Sequence, residues 1–429
     1  MTTRSASAHP RNARRSAHGA LARRGILSLI AIAVLLGTLP AGAGVLTGNC
    51  RVANQPAATL LIPYFQVDVD NAGGSTTLIS INNASAKSEL ARVTLWTDWG
   101  VPTLAFDVYL TGYDVQTVNL RDVFQGVLPV TGAGAPQGAY SLAAAPPFSG
   151  CATGTGPSGQ PGISDAQRAY LRAAHTGQPL PGAATGFCAG SGTAGPSLAT
   201  GYVTVDSVTR CTAMSVGTLS NTPADGTYFA HGGTGLASDD NVLWGDYLVV
   251  DPQRGLSEGQ TAVALVADPD FFGPGDYTFY GRYVGFDGRD DRAPLSSLYY
   301  ARYLNGGSFA GGTDLVVWRD NRRLEVAPSP CASGPSWAPL GEYQLVVFDE
   351  EENGQLAPKT HAFPLTTQRV HLGSSTLPAV PNYGWLMLDL WHIDGTHAQG
   401  YVSILMTADG RYQVGHPALQ ADDLCVFGP

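Results

Sequence analysis

Three aspartates in one short run, Asp287, Asp290 and Asp291 of FDGRDDRAP, form the strongest candidate metal site in this chain. Closely spaced carboxylates in a turn can converge on a hard cation such as calcium, with backbone carbonyls completing the shell. Arg289 and Arg292 offer the competing outcome of local ion pairs. Asp68 and Asp70 of VDVDNAGG begin like a calcium loop. That pattern fails, because Ala72 occupies a ligand position and Ile79 stands where the terminal Glu belongs. Asp239 and Asp240 make a third acidic cluster. His392, Asp394 and His397 of WHIDGTH could also hold a divalent ion. The strand-like flanks LMLDLW and YVSILM instead read this stretch as a hairpin loop with an Asp-Gly turn. His231, in the Gly-rich run YFAHGGTG, has no nucleophile paired with it in the sequence.

No catalytic signature accompanies these residues. GxSxG, HExxH, a phosphate-binding loop and a dinucleotide fingerprint are all missing, so no catalytic or cofactor-binding residue is assigned. Paired carboxylates for glycoside cleavage are set by separation in space, and with 34 acids such pairs arise by coincidence. Aromatic residues suggest a sugar platform instead. Trp99 in TDWG and Trp337 in GPSWAPL sit in loops, where a ring is free to stack on a ligand, while Trp96, Trp244, Trp318, Trp385 and Trp391 read as core.

The elements that must position these residues are strands and loops. The chain of 429 residues is 44% apolar and only 14% charged, with 53 Gly and 29 Pro, a composition that disfavours long amphipathic helices. Asp outnumbers Glu by 27 to 7, which suits turns and caps more than helix interiors. Residues 1–43 hold six arginines and no acid, so the remainder carries 18 basic against 34 acidic residues, a formal charge of −16. Such a body repels phosphate backbones and anionic lipid heads, which argues against nucleic acid as a partner and makes cations the better-matched small ligands.

Residues 1–43 have the three parts of a secretory signal: an Arg-rich start, the apolar run GILSLIAIAVLLGTL, and small residues at Ala41, Gly42 and Ala43. Cleavage is expected after Ala43, by general secretion more than by the twin-arginine route that Arg23 and Arg24 suggest. The apolar run is too short for a retained span, Cys50 lacks a lipobox, and no later run is long enough to span a membrane. The protein is therefore expected to be secreted or periplasmic, with association at the cell surface as a variant of that reading. An exported chain with six cysteines, Cys50, Cys151, Cys188, Cys211, Cys331 and Cys425, implies three disulfides with 15 possible pairings. Cys151 and Cys188 bracket a Gly/Ala/Pro-rich stretch and are the favoured pair.

After residue 43, short apolar runs end at Asn, Asp or Gly, the pattern of a β-sandwich. The order then repeats. TDLVVWRD (313–320) answers TLISINN (77–83), YQLVVFD (343–349) answers RVTLWTD (92–98), and HAFPLTTQRVHL (361–372) answers FDVYLTGYDVQTVNL (106–120). Leu377 and Pro378 match Leu128 and Pro129, PNYGWLML (381–388) matches PQGAYSL (136–142), and Gly400, Tyr401 and Val402 echo Gly201, Tyr202 and Val203. The expectation is an all-β fold of two diverged sandwiches, 44–270 and 271–429. The first carries a loop-rich insertion at about 145–200, tethered by a disulfide and outside the core, with one helix from Asp165 to His175 capped by Ser164 and Gln167.

The runs NNASAKSELARVTLWTDWGVPTLAFDVYLTGYDVQTVNLRDVF (82–124), NVLWGDYLVVDP (241–252) and GGTDLVVWRD (311–320) resemble a group of exported, β-rich bacterial proteins of unassigned function. The strand pattern is also similar to immunoglobulin-like adhesion modules. The resemblance implies export and β-structure and carries no catalytic residues. Together these readings predict a non-enzymatic binding or structural protein of the cell surface or extracellular space, with a protein or glycan partner and either no cofactor or calcium. The alternatives are a secreted hydrolase using carboxylates and a carbohydrate-binding protein.

Overall fold

Burial in the strands of this chain alternates with a period of two where one face meets water. LWGDYLVVD (243–251) buries Leu243, Gly245, Tyr247 and Val249 and exposes Trp244, Asp246 and Leu248. ELARVTLWT (89–97) and PTLAFDVYL (102–110) are buried at every position, although Arg92, Thr94 and Asp107 belong to their polar phase. Something other than water covers that second face.

The computed structural model describes residues 55–129, 131, 162–182, 186–320, 326–337, 345–356, 363, 365–373, 380–391, 398–408 and 412–420, all within one unit, Gly48–Pro429. The expected export signal, Cys50, Cys151, Cys425 and the trio His392, Asp394 and His397 lie outside the described residues. The chain is mostly β, with 45% strand and 9% helix. In chain order the strands are β1 (Thr59–Asp68), β2 (Thr76–Asn83), β3 (Glu89–Thr97), β4 (Pro102–Leu110), β5 (Val115–Asn119), β6 (Phe187–Cys188), β7 (Leu198–Ser207), β8 (Ser215–Val216), β9 (Leu243–Asp251), β10 (Leu256–Thr261) and β11 (Val263–Leu265). They continue as β12 (Leu298–Leu304), β13 (Thr313–Arg319), β14 (Ser329–Pro330), β15 (Leu345–Asp349), β16 (Gly354–Leu356), β17 (Thr367–His371), β18 (Tyr383–Asp389), β19 (Gly400–Ala408), β20 (Tyr412–Pro417) and β21 (Leu419–Gln420). Helices α1 (Leu120–Phe124) and α2 (Asp165–His175) lie between β5 and β6.

The strand order occurs twice. One pair of sheets runs β11-β1-β7-β3-β4-β8 and β10-β9-β2-β5; the other runs β21-β12-β18-β15-β16 and β20-β19-β13-β17. Apart from the short β8, each position in the first pair has a counterpart in the second, and the pairings within these sheets are antiparallel. Each sheet pair encloses its own apolar core in sandwich-like fashion. Phe65, Phe106, Val203 and Tyr247 belong to the first core, and Tyr299, Leu315, Leu386 and Ile404 to the second.

This order bears out the matches of 77–83 with 313–320, of 92–98 with 343–349, and of the segment holding β5 with the one holding β17. Two other matches are displaced. Gly201, Tyr202 and Val203 lie in β7, whereas Gly400, Tyr401 and Val402 open β19, whose counterpart is β9. PNYGWLML falls on β18, the counterpart of β7, and 136–142 lies outside the described residues. Small, aromatic and β-branched residues open many strands, so such triplets carry little positional information.

The second face of the six-stranded sheet is covered by segments 208–240 and 266–297 and by Trp318 and Tyr401 of the second sheet pair. Trp96 stacks on Tyr202 at 5.6 Å, and Phe279 stacks on Trp318 at 5.2 Å. Beneath the cover, Arg92 pairs with Asp107 at 2.5 Å with both side chains fully buried. Asp206 accepts from Thr59 at 2.6 Å and from the hydroxyls of Tyr228 and Tyr280 at 3.0 Å each. Arg282 pairs with Asp320 at 2.7 Å, joining the covering segment to the second sheet pair. Charges so deeply enclosed are tolerated because each is paired or hydrogen-bonded.

The insertion was expected outside the core, but its described part places Ile163 and Leu171 in the first apolar core. Helix α2 has the expected capping box, with Ser164 and Gln167 exchanging side-chain to backbone hydrogen bonds. Its inner face seats Leu171, Ala174 and His175. His175 lies against Thr103 Oγ1 at 2.7 Å and the Thr200 carbonyl at 2.9 Å, and burial pushes its imidazole down to about 4. The expected bridge between Cys151 and Cys188 is overturned: Cys188 bonds Cys331 across a sequence separation of 143, where β6 pairs with β14. The bridge thus fastens the insertion to a loop of the second sheet pair, a partner chosen by tertiary proximity. Cys211 is also disulfide-bonded, to a cysteine outside the described residues.

Candidate functional site

The polar groups that converge on open space lie where the two sheet pairs meet. β13 and β17 are neighbours in register, with Asp314 opposite His371 and Val316 opposite Arg369. Residues directly opposite on one sheet face are the closest cross-strand neighbours, and the next residue along on the same face stands diagonally within reach. Asp314 therefore meets both basic side chains. Its Oδ1 accepts from His371 Nδ1 at 2.7 Å and its Oδ2 from Arg369 Nε at 2.7 Å. Gly312 stands close to the imidazole in a left-handed conformation (φ 77°), and a Cβ there would lie 2.5 Å from His371 Cε1.

From the first sheet pair comes Glu258 of β10, a strand whose alternation turns Leu256 and Glu258 inward. Arg369 Nη1 reaches Glu258 Oε2 at 3.4 Å, so one guanidinium spans carboxylates of both sheet pairs. Burial raises the Glu258 carboxyl to about 7, with Arg369 pulling it down and Asp314 pushing it further up. Burial alone would lower Arg369, but Glu258 and Asp314 outweigh it and hold the guanidinium above its ordinary value. The cavity has a volume of about 380 Å³, and Gln66, Ser75, Asp251, Arg254, Thr407 and Gln413 complete its hydrogen-bonding wall. The volume falls within the range of small-ligand pockets, roughly 300–1,000 Å³.

The carboxylate beside Nδ1 fixes that nitrogen as the donor, and Nε2 is the ring's second polar atom. Bond cleavage by such a pair needs a hydroxyl or thiol within hydrogen-bond reach of the imidazole. Among the described residues no Ser, Thr or Cys side chain bonds His371, and the Glu258 and Asp314 carboxylates are both tied to Arg369. This arrangement orients and neutralises polar groups around a cavity. It suits binding.

The residues flagged in the sequence have other placements. Asp287 accepts from the Arg289 backbone and pairs with the Arg289 guanidinium at 3.2 Å. Asp290, fully buried, accepts from Thr278 Oγ1 and from the Tyr280 N–H at 2.7 Å, and burial lifts its carboxyl to about 7. Asp291 accepts from His231 Nδ1 at 2.7 Å and the Gly232 N–H at 2.7 Å. The three carboxylates share no partner. Among the described residues no group of three or more His, Cys, Asp or Glu is placed to hold a metal ion. The structure does unite two separate sequence clusters, since Asp291 lies close enough to push the Asp239 carboxyl up while Arg292 pairs with Asp239 at 2.8 Å. Asp68 caps its own turn by accepting from the backbones of Asp70 and Asn71, and Asp70 pairs with Arg172 at 2.6 Å.

Among the tryptophans, Trp96 and Trp318 are core as expected, and three others depart from their expected roles. Trp99 is buried against Trp337 and the Cys188–Cys331 bridge, whereas Trp244 and Trp385 are 47% and 42% exposed. Trp385 stacks on Phe348 at 4.2 Å across β15 and β18. The strict alternation of β9 was the available sign that Trp244 faces out. The groove quartet went unread because Arg369 and His371 sit in an ordinary strand pattern, and Glu258 and Asp314 acquire meaning only when two sheet pairs meet. Comparison of the chain with protein-family models, curated proteins and solved structures finds no match.

Proposed function

We propose that this is an exported, non-enzymatic binding protein of the cell surface or extracellular space, built from two diverged immunoglobulin-like sandwiches, with its ligand site in the groove between them. The observation that carries the reading is the Arg369 bridge. A cavity walled by hydrogen-bonding side chains is held open by a guanidinium engaging Glu258 from one sheet pair and Asp314 from the other. The strand order supports the immunoglobulin-like part. β1, β7 and β3, with β12, β18 and β15, take the places of strands B, E and D, while β10, β9 and β2, with β20, β19 and β13, take those of G, F and C. Binding is favoured over carboxylate hydrolysis because acids and aromatics lie apart: the acids line the groove and pair with arginine, and the half-buried Phe348 and exposed Trp385 stack on a sheet face.

A glycan and protein array probed with the mature chain from Gly44 tests this reading, with Gln413→Trp filling the groove as control. Binding to a defined ligand class that the filled groove loses supports it; binding indifferent to Gln413→Trp removes the groove from the function. Calcium at Asp287, Asp290 and Asp291 is a separate proposal. It requires calcium to raise the melting temperature beyond magnesium at matched ionic strength, and fails if the two ions act alike.

A further inference from the structure

We propose that the groove takes a protonated primary amine on a small polyhydroxylated frame, with the Glu258 carboxylate as its counter-ion. The inference rests on the groove being the ligand site. The Glu258 side chain is only 6% exposed and lines the cavity, yet its one hydrogen bond among the described residues is the 3.4 Å contact from Arg369, at the long limit for such a bond. Arg369 gives its better-placed Nε to Asp314 at 2.7 Å. A carboxylate has about four acceptor positions, and one this enclosed ordinarily has several filled.

The charges around the cavity point the same way. Three acidic side chains, Asp251, Glu258 and Asp314, face two guanidiniums, Arg254 and Arg369, with His371 Nδ1 placed on Asp314 and not on Glu258. An ammonium is a compact point charge with three donors, matched to a carboxylate short of partners. Gln66, Ser75, Thr407 and Gln413 are neutral hydrogen-bonding groups suited to hydroxyls. No Phe, Tyr or Trp is among the described residues of the lining, so the frame is expected to be held mainly by hydrogen bonds. The acidic body, with its excess of Asp and Glu, would draw such a cation inward.

The test is calorimetric titration of the mature chain with glucamine, a polyhydroxylated primary amine, against sorbitol, its hydroxyl congener. Glucamine is expected to bind at least about tenfold more tightly, the scale of one charge-assisted hydrogen bond over a neutral one. Glu258→Gln, which keeps shape and removes charge, should erase that preference, and Gln413→Trp should abolish binding of both. Equal affinities that Gln413→Trp abolishes would overturn the ammonium and leave the groove standing. Failure of both probes to bind would overturn the ammonium inference alone, the groove then being decided by the array, whereas binding that survives Gln413→Trp would overturn both readings. A preference retained by Glu258→Gln removes Glu258 from the role; if that variant does not fold, the wild-type ratio of glucamine to sorbitol decides.

Discussion

Two Asp–His pairs in this protein have the same contact, Nδ1 to Oδ1 at 2.7 Å, and opposite surroundings. In the pair of His231 and Asp291, the carboxylate is wholly buried, its second oxygen takes the Gly232 N–H, and its residue has a positive φ of 53°. Asp239 and Arg292 lie behind it, and Arg292 continues to Thr59 and the Ser238 carbonyl. That pair fastens one covering segment to another. In the pair of His371 and Asp314, the second oxygen holds Arg369, which crosses to the other sheet pair beside a cavity. What the carboxylate's other oxygen touches, more than the pair itself, separates a fastening from a binding wall.

Removing each carboxylate sharpens that contrast. Asp291→Ala removes a wholly buried carboxylate and puts Ala at a positive φ, and it loosens the acid–arginine mesh around Asp239 and Arg292, so unfolding in urea should show a loss of about 2–4 kcal/mol. Asp314→Ala leaves Arg369 with Glu258 and water nearby; its stability loss should be about 1 kcal/mol or less, with the damage appearing in groove binding. Equal stability losses in the two variants would mean that both pairs are fastenings.

Much of the architecture was legible in the sequence. Strand-length runs ending at turn residues located most elements, and Ser164 with Gln167 located the start of α2. Strand order repeats because matched segments fold alike, which is why 77–83 and 313–320 could be paired. What could not be read depends on partners far along the chain. Arg92 and Asp107 stand in the polar phase of alternating strands, which ordinarily means water, and only the arrival of segments 208–240 and 266–297 buries them. Cys188 finds Cys331 by the same logic, and Asp314 finds His371 through a strand pairing over 57 residues that no local pattern announces. Asp290 and Asp291 were conspicuous as acids, but their burial turned them toward protein donors.

The smallest expected effect is a pH dependence that both regions share. Burial raises the carboxyls of Glu89, Glu258 and Asp290 to about 7 and those of Asp98 and Asp239 to about 6. Below their ordinary values near 4 these groups are protonated in folded and unfolded chains alike. Between those values and 6 to 7 the folded chain keeps protons that the unfolded chain has lost, so the stability they contribute falls as pH rises through that window. His175 acts in the opposite sense: its imidazole is depressed to about 4, so its contribution is lost as pH falls from its ordinary value toward 4. The two slopes oppose each other between about 4 and 6.5, and above that only the carboxyls remain in play. The melting temperature should therefore be higher near pH 6 than at pH 8, by a few degrees. Glu258→Gln and Asp290→Asn should each flatten that decline, Glu258→Gln by removing the groove's share and Asp290→Asn by removing the share of the buried mesh. A melting temperature that climbs steadily from pH 6 to 8 would mean that these carboxyls are ionised in the fold at little cost. The excess charge assigned to the groove would then already be neutralised by the protein itself.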